Sequence, residues 1–406
     1  MTRYIPYLDG IAADEAANVA TLLELAAINS GSQNLAGLAR MCERLATLFA
    51  PLGGDVEILE LPTYQVVNRQ GELEERALGR ALRIRKRPDA PLKVFLGGHM
   101  DTVFGADHPF QDSRWLDENT LNGPGVADLK GGLLVMRSAL MALERSPWAA
   151  NIGWEILINP DEEIGSPGSA PLLLEAAKRN HLGLVYEPSL PDGSLAGARK
   201  GSGNFSVVVR GRAAHAGRDH AAGRNAIRLL ADFITAIDDL NGKRADVTIN
   251  VGFVEGGGPV NIVPDLAVGK FNVRIARPED EAWFLGEADR ILAELNRREG
   301  YSLALHGHFN RKPKILSPGN VRLFEVLRDC GNELGFALSW KPTGGCCDGN
   351  NLAAAGLPNV DNLGVRGGKI HSADEFMLRD SLTERARLSA LLMMKLASGE
   401  LAWTRG

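Results

Sequence analysis

Between residues 92 and 188 the chain alternates short, continuous apolar runs with amphipathic stretches of helical period. PLKVFLGG (91–98), WEILINP (154–160) and LGLVYEP (182–188) read as strands buried on both faces. GGLLVMRSALMALERS (131–146) and SAPLLLEAAKRN (169–180) read as the helices that connect them. A β-α-β-α-β order of this kind favours an α/β fold, a mainly parallel sheet flanked by helices on both faces. Helical periods over 14–29 and 35–49 precede it, and shorter strands are expected near 55–60 and 80–85. In Arg83-Ile84-Arg85-Lys86-Arg87 the charges alternate with an apolar residue, as on the solvated face of a strand.

From about residue 200 the rhythm changes. GNFSVVVRGR, DVTINVGFV, LAVGKFNVRIA and YSLALHGHF alternate like half-exposed antiparallel strands, with helices expected over roughly 223–240 and 279–299. Two strand-helix-strand units suggest an inserted α+β sandwich. After Pro313 the first rhythm returns and ends in a helix over 381–398. The expected organisation is a discontinuous catalytic domain, 1–198 with 313–406, interrupted by an inserted domain at 199–312. A length of 406 residues suits two domains better than one core.

The formal charge of −5, from 45 basic and 50 acidic residues, argues against a general nucleic-acid surface. Residues 1–19 carry neither a basic n-region nor an apolar h-region, and no run approaches the length of a membrane span. Cys42, Cys330, Cys346 and Cys347 are too few and too irregularly spaced for a disulfide scaffold. A cytoplasmic protein without membrane attachment is the expectation.

The chemistry-bearing residues fall beside strand-like runs or glycine-rich turns. They are His99 and Asp101 in HMDTV, Asp128 in GPGVADLKGG, Glu162-Glu163 in DEEIGS, Glu187 in YEP and His371 in HSADE. Two imidazoles and three carboxylates suit two divalent ions of zinc type. The carboxylates left over point to catalysis rather than to a structural metal.

These motifs, with GRAAHAG and NIVPD, occur in an order that resembles the zinc exopeptidase family of glutamate carboxypeptidase, acetylornithine deacetylase and succinyl-diaminopimelate desuccinylase. The resemblance runs from about residue 15 to 400 and implies a zinc-exopeptidase-like catalytic domain with an inserted dimerisation or lid domain. It implies that Asp128 bridges two metals, with His99 and Glu187 on one and Glu163 and His371 on the other. Asp101 would hydrogen-bond the His99 ring and fix its tautomer. Glu162 would be the general base towards a metal-bridging hydroxide, which zinc makes available by lowering the pKa of water to roughly 7. His215 would reach a neighbouring subunit's site and donate to the oxyanion.

Asn261 and Arg274 align with positions that hold the substrate carboxylate in the glutamate-releasing relatives. Arg311 and Lys200 are further candidates for that task. His220, His306, His308, His108 and His181 read as ordinary surface or strand residues, and Gly256-Gly257-Gly258 as a turn or close approach. Two departures from the family pattern stand out. Cys346-Cys347 occupies a small-residue run before Asp348, and Leu129 follows the bridging Asp128, where the family's peptide is frequently cis.

The resemblance implies a di-zinc metallopeptidase or deacylase that releases an amino acid with a free α-carboxylate, closest to the glutamate carboxypeptidase type. Cobalt or manganese would tolerate similar ligands. N-acyl amino acid deacylation of the acetylornithine or succinyl-diaminopimelate kind is the alternative. A non-catalytic metal-binding dimer has no need of Glu162, Asp101 and His215 together, and a two-metal phosphoesterase should add a cationic clamp. The expected partners are a small N-acyl or peptidyl amino acid and a second copy of the chain, paired through the insert.

Overall fold

The computed structural model describes residues 1–404. Its central sheet has six strands in the spatial order Asp55–Leu59, Ala81–Lys86, Ile152–Asn159, Leu92–His99, Leu182–Val185, Asn359–Val360. Leu92–His99 lies at the middle, parallel to both neighbours, and Asn359–Val360 extends the parallel part. The first two strands are antiparallel, so the sheet is parallel where it carries the functional residues and antiparallel at one margin. All eight residues of Ile152–Asn159 are buried, as its unbroken apolar run requires. At the antiparallel margin Ile84 points inward while Arg83 and Arg85 reach Glu57 on the adjacent strand, which accounts for the alternating charges there.

Helices cover both faces. Gly131–Arg145 packs with Asp380–Ala397 against Val94, Leu96, Ile156 and Ile158. On the other face Leu173, Ala176 and Ala177 of the helix Ala170–Arg179 meet Phe95, Leu157 and Val185. A helix over Ile5–Ala13 lies ahead of the expected N-terminal pair and buries Leu8 and Ile11. Pro6 sits in its first turn, where the missing N–H costs no hydrogen bond.

Residues 201–311 build a second sheet, Thr248–Gly256, Leu266–Ile275, Gly201–Arg210, Ser302–Arg311, with every pair antiparallel. Helices Ala226–Asp238 and Glu279–Leu295 close one face over a core of their own. Phe205 stacks on Phe271 with centroids 5.5 Å apart and lies 5.3 Å from Phe284. Asn225 caps the first helix by accepting the N–H of Arg228 at 3.0 Å.

The chain enters and leaves this unit side by side, the N–H groups of Arg199 and Lys314 each donating to the other's carbonyl at 3.0 Å. A hairpin, Tyr64–Val67 with Leu73–Arg76, which the sequence reading did not anticipate, lies across the sheet's other face. Its Val67 packs on Val208 and Val268, and Lys270 donates to the Val67 carbonyl at 2.8 Å.

Candidate metal centre

Three parallel strands end on one edge of the central sheet, and the chain segments leaving them converge there. In open sheets of this kind ligands bind beyond the carboxyl ends of the strands. His99 closes Leu92–His99, Glu162 and Glu163 follow Ile152–Asn159 after a short turn, and Glu187 follows Leu182–Val185. Asp128 comes from the turn before Gly131–Arg145, where the Asp128–Leu129 peptide is cis.

The two oxygens of Asp128 face different partners. Oδ1 lies 3.1 Å from His99 Nε2, which is also 3.9 Å from Glu187 Oε2. Oδ2 lies 3.3 Å from His371 Nε2, which is 3.2 Å from Glu163 Oε2. Two donor groups thus meet at one shared carboxylate. Donor atoms of His99, Asp128 and Glu163, and separately of His99, Glu162 and Glu187, fall within 4.8 Å of one another. The side chains of all of them are buried except that of His371, which sits half exposed at the mouth.

The electrostatics are those of a site built for cations. Burial pushes the Glu162 carboxyl up to about 7 despite Arg311, and burial together with Asp128 pushes Glu163 up to about 8. Burial and the charge of Glu162 raise Glu187 too, and its Oε1 is buried with no hydrogen-bond partner among the described residues. Hydrogen bonds to Asp128 and Glu163 lift His371 to about 11. Burial opposes a charge on His99, but Asp101, Asp128 and Glu187 hold its pKa above the ordinary imidazole value. Crowded carboxylates, an orphaned oxygen and imidazoles driven to protonate fit divalent ions among nitrogen and oxygen donors.

Asp101 does more than the sequence suggested. His99 Nδ1 lies 2.9 Å from the Asp101 backbone carbonyl and 3.3 Å from its carboxylate. That carboxylate accepts Ser32 Oγ at 2.7 Å and the N–H groups of Glu162 and Glu163 at 3.2 and 3.1 Å. One side chain therefore fixes both the ring and the turn carrying the paired glutamates. Gly165, with φ of +95°, ends that turn, and a Cβ there would stand 1.9 Å from Asn310 Nδ2 of the insert.

Three residues with no role in the sequence reading support this edge. Glu375 accepts the N–H groups of Gly125, Ala127 and Asp128. Asp348 accepts Asn159 Nδ2 at 2.8 Å and the Ser166 hydroxyl. Asp361 joins Arg199 and Lys314 where the chain crosses into and out of the insert. The HSADE string held the only sequence signal for Glu375, an acid four residues past His371.

The substrate-side candidates divide. Arg311 is buried against Glu162 and Asp348. Arg274 donates to Cys346 Sγ at 2.8 Å across the seam between insert and central unit. Lys200 donates to the Asp246 carbonyl at 2.7 Å, within the insert. His215 and Asn261 lie together in an exposed part of the insert, where Ala214–His215 pairs with Ile262–Val263. No contact joins them to the metal-centre residues among the described residues. Cys347 is buried, and burial raises its thiol well above its ordinary value.

The sheet edge, the shared carboxylate and the paired glutamates together define a metallohydrolase. Residues 95–395 match the family described as Peptidase family M20/M25/M40, and the chain belongs to that family. Carboxypeptidase G2 from Pseudomonas sp. (strain RS-16) is 29% identical over 325 residues, 76% of this chain and 74% of the relative. A succinyl-diaminopimelate desuccinylase from Stutzerimonas stutzeri is 26% identical over 314 residues, 72% and 80% of the two chains. The fold matches that of an M20 metallo-carboxypeptidase from Sulfolobus solfataricus, with a TM-score of 0.73 at 16% identity over 93% of this chain and 98% of that one. The protein is a hydrolase of the metallopeptidase and deacylase kind.

Proposed function

We propose that this enzyme hydrolyses the amide bond of an N-acyl or N-peptidyl amino acid and releases an amino acid with a free α-carboxylate, as a glutamate carboxypeptidase does. The observation that carries this reading is the placement of Glu162. Its carboxylate lies among the metal donors while the neighbouring Glu163 turns to His371.

His99 and Glu187 would hold one divalent ion and Glu163 and His371 the other, with Asp128 between them; zinc fits this donor set best, and cobalt or manganese would also fit. Ions held there would supply Lewis acidity to the scissile carbonyl and to water. Glu162 takes the proton from the attacking water and passes it to the leaving nitrogen, a transfer that contributes about 10²–10⁴ in rate. Asp101 keeps His99 in one tautomer and the glutamate turn in register. Arg274, Asn261 and Lys200 are the candidates for the substrate carboxylate, Arg274 being supported by its place at the seam.

His215 and Asn261 are exposed on the insert, which supports their service to a second copy of the chain. The strand Thr248–Gly256 offers a free edge with Phe253 and Val254 exposed, suited to pairing across a two-fold axis. Residues 199–312 would then act as the dimerisation and lid unit. Four unpaired thiols support a reducing compartment such as the cytoplasm.

The second reading, removal of a succinyl or acetyl group from an amino acid, is supported by the desuccinylase relative. A panel of N-acyl and N-peptidyl amino acids, with metal measured on the same sample, separates the two. Glutamate release above all others supports the first, and diaminopimelate or ornithine release the second. No amide cleavage with two ions bound would sink both. Glu162→Gln should abolish turnover and keep the metals.

A further inference from the structure

Arg311 ends the insert's strand Ser302–Arg311, just before the chain returns to the central unit. It is 5% exposed. Its Nη2 donates to the Glu162 carbonyl at 2.9 Å and to Ser166 Oγ at 3.0 Å, and lies 2.7 Å from Glu162 Oε1 and 3.4 Å from Asp348 Oδ1. Nη1 stands 3.7 Å from Cys346 Sγ, and Nε is buried without a partner among the described residues. The Nη2 end of the guanidinium is thus committed to Glu162, Ser166 and Asp348, and withdrawing it would leave the buried Glu162 carboxylate unpaired, a costly change.

Glu162 needs such a partner. Its neighbour Glu163 is held by His371, but among the described residues the only ion pair of the Glu162 carboxylate is with Arg311. Glu162 also stands close enough to His99 and Glu187 to complete a metal triad. A base that collapses onto an ion as an extra ligand loses its proton-accepting role. We propose that Arg311 is a positioning residue for the general base, holding the Glu162 carboxylate off the ions and its turn in place, and that it does not bind the substrate carboxylate. The proposal rests on Glu162 being the base, as proposed above.

The test uses the full-length, metal-loaded protein with Arg311→Ala and Arg311→Lys, each alone and combined with Glu162→Gln. The expected result for Arg311→Ala is a kcat lower by about 10²-fold or more, within the range of general-base catalysis, with KM nearly unchanged. Affinity for the released amino acid, measured by calorimetry, should stay the same. Arg311→Lys should recover part of kcat. In the cobalt-substituted protein Arg311→Ala should change the visible spectrum, because Glu162 gains access to the ion, and Glu162→Gln should cancel that change. If Arg311→Ala fails to fold, Arg311→Lys still decides the question by the same split of kcat from KM.

Weaker binding of the released amino acid with kcat preserved would make Arg311 a substrate holder and overturn the proposal. A spectrum that changes equally in the Glu162→Gln background would also overturn it. Normal turnover in Glu162→Gln would instead remove the base itself, so the two readings fail in different experiments.

Discussion

The carboxylate of Glu375 accepts the backbone N–H of Asp128 at 3.0 Å. The same group accepts Ala127 at 3.0 Å and Gly125 at 3.2 Å, so one buried acid sets the turn that presents the shared ligand. Asn122 holds the Glu375 backbone in turn, donating to its carbonyl at 2.7 Å. Supporting contacts of this kind orient metal ligands, and their loss typically costs about 10–100-fold in metal affinity. Glu375→Gln should therefore weaken metal binding by about that factor in a chelator-competition titration while Asp128 is still present. Unchanged affinity would mean that the turn holds its shape without Glu375.

His215 is exposed; it pairs with Ile262 of the same insert, and its Nδ1 accepts the N–H of Gly217 at 3.2 Å. If it completes the site of a second copy, His215→Ala and Glu162→Ala protomers should each be inactive and should recover turnover when mixed into verified heterodimers. The measurement is activity against mixing ratio, with the oligomeric state followed by sedimentation. Heterodimers as inactive as their parents would place His215 outside a shared site.

Much of this architecture was readable because strand ends are readable. His99, the paired glutamates and Glu187 each follow an apolar run, and parallel strands bring their carboxyl ends to one edge. His371 has no such marker. It sits in a turn with φ of +63°, and only the family order of motifs pointed to it. Arg274 and Arg311 look alike in sequence, both at the ends of insert strands. A shift in the pairing between Ser202 and Gly203 leaves Arg311 opposite Ser202, and the folded chain turns it onto Glu162. No local pattern encodes that choice. The hairpin over 64–76 was invisible for a similar reason, since one buried valine, Val67, meets the insert while Val66 and Leu73 stay partly or fully exposed among polar neighbours. In the helix Ile5–Ala13, Gly10 lowers the local helix propensity, and tertiary packing of Leu8 and Ile11 overrides it.

Asp361 lies 2.8 Å from Arg199 Nε and 2.9 Å from Lys314 Nζ, and all three side chains are buried. Arg199 ends the strand Leu195–Arg199 and Lys314 is bridged to it where the chain passes into and out of the insert, so Asp361 clamps both crossings. Removing one partner of a buried ionic group leaves uncompensated charge, worth about 3–5 kcal/mol. Asp361→Asn should lower unfolding stability by that order in urea titration, with the metal ligands untouched. A loss below about 1 kcal/mol, the range of surface pairs, would show that water reaches this triad.

At the opposite end of the molecule Glu400 meets Lys395 at 2.8 Å, Arg3 at 2.6 Å and the Tyr4 hydroxyl at 2.9 Å, tying the N-terminal segment to the last helix. The hydrogen bond from Lys395 leads the contacts that pull its carboxyl down to about 2 from an ordinary 4.5. A carboxyl depressed in the folded state binds its proton more readily when unfolded, so the stabilisation is complete above pH 4.5. It is lost as pH falls from there towards 2. Glu400→Gln should thus melt below the parent at pH 7, and the gap between their melting temperatures should narrow steadily through that acid window. Because about a third of the side chain faces solvent, salt should shrink the gap at neutral pH as well. A gap independent of pH from 7 to 2 would mean that Glu400 contributes through packing and neutral hydrogen bonds, with no share from its charge.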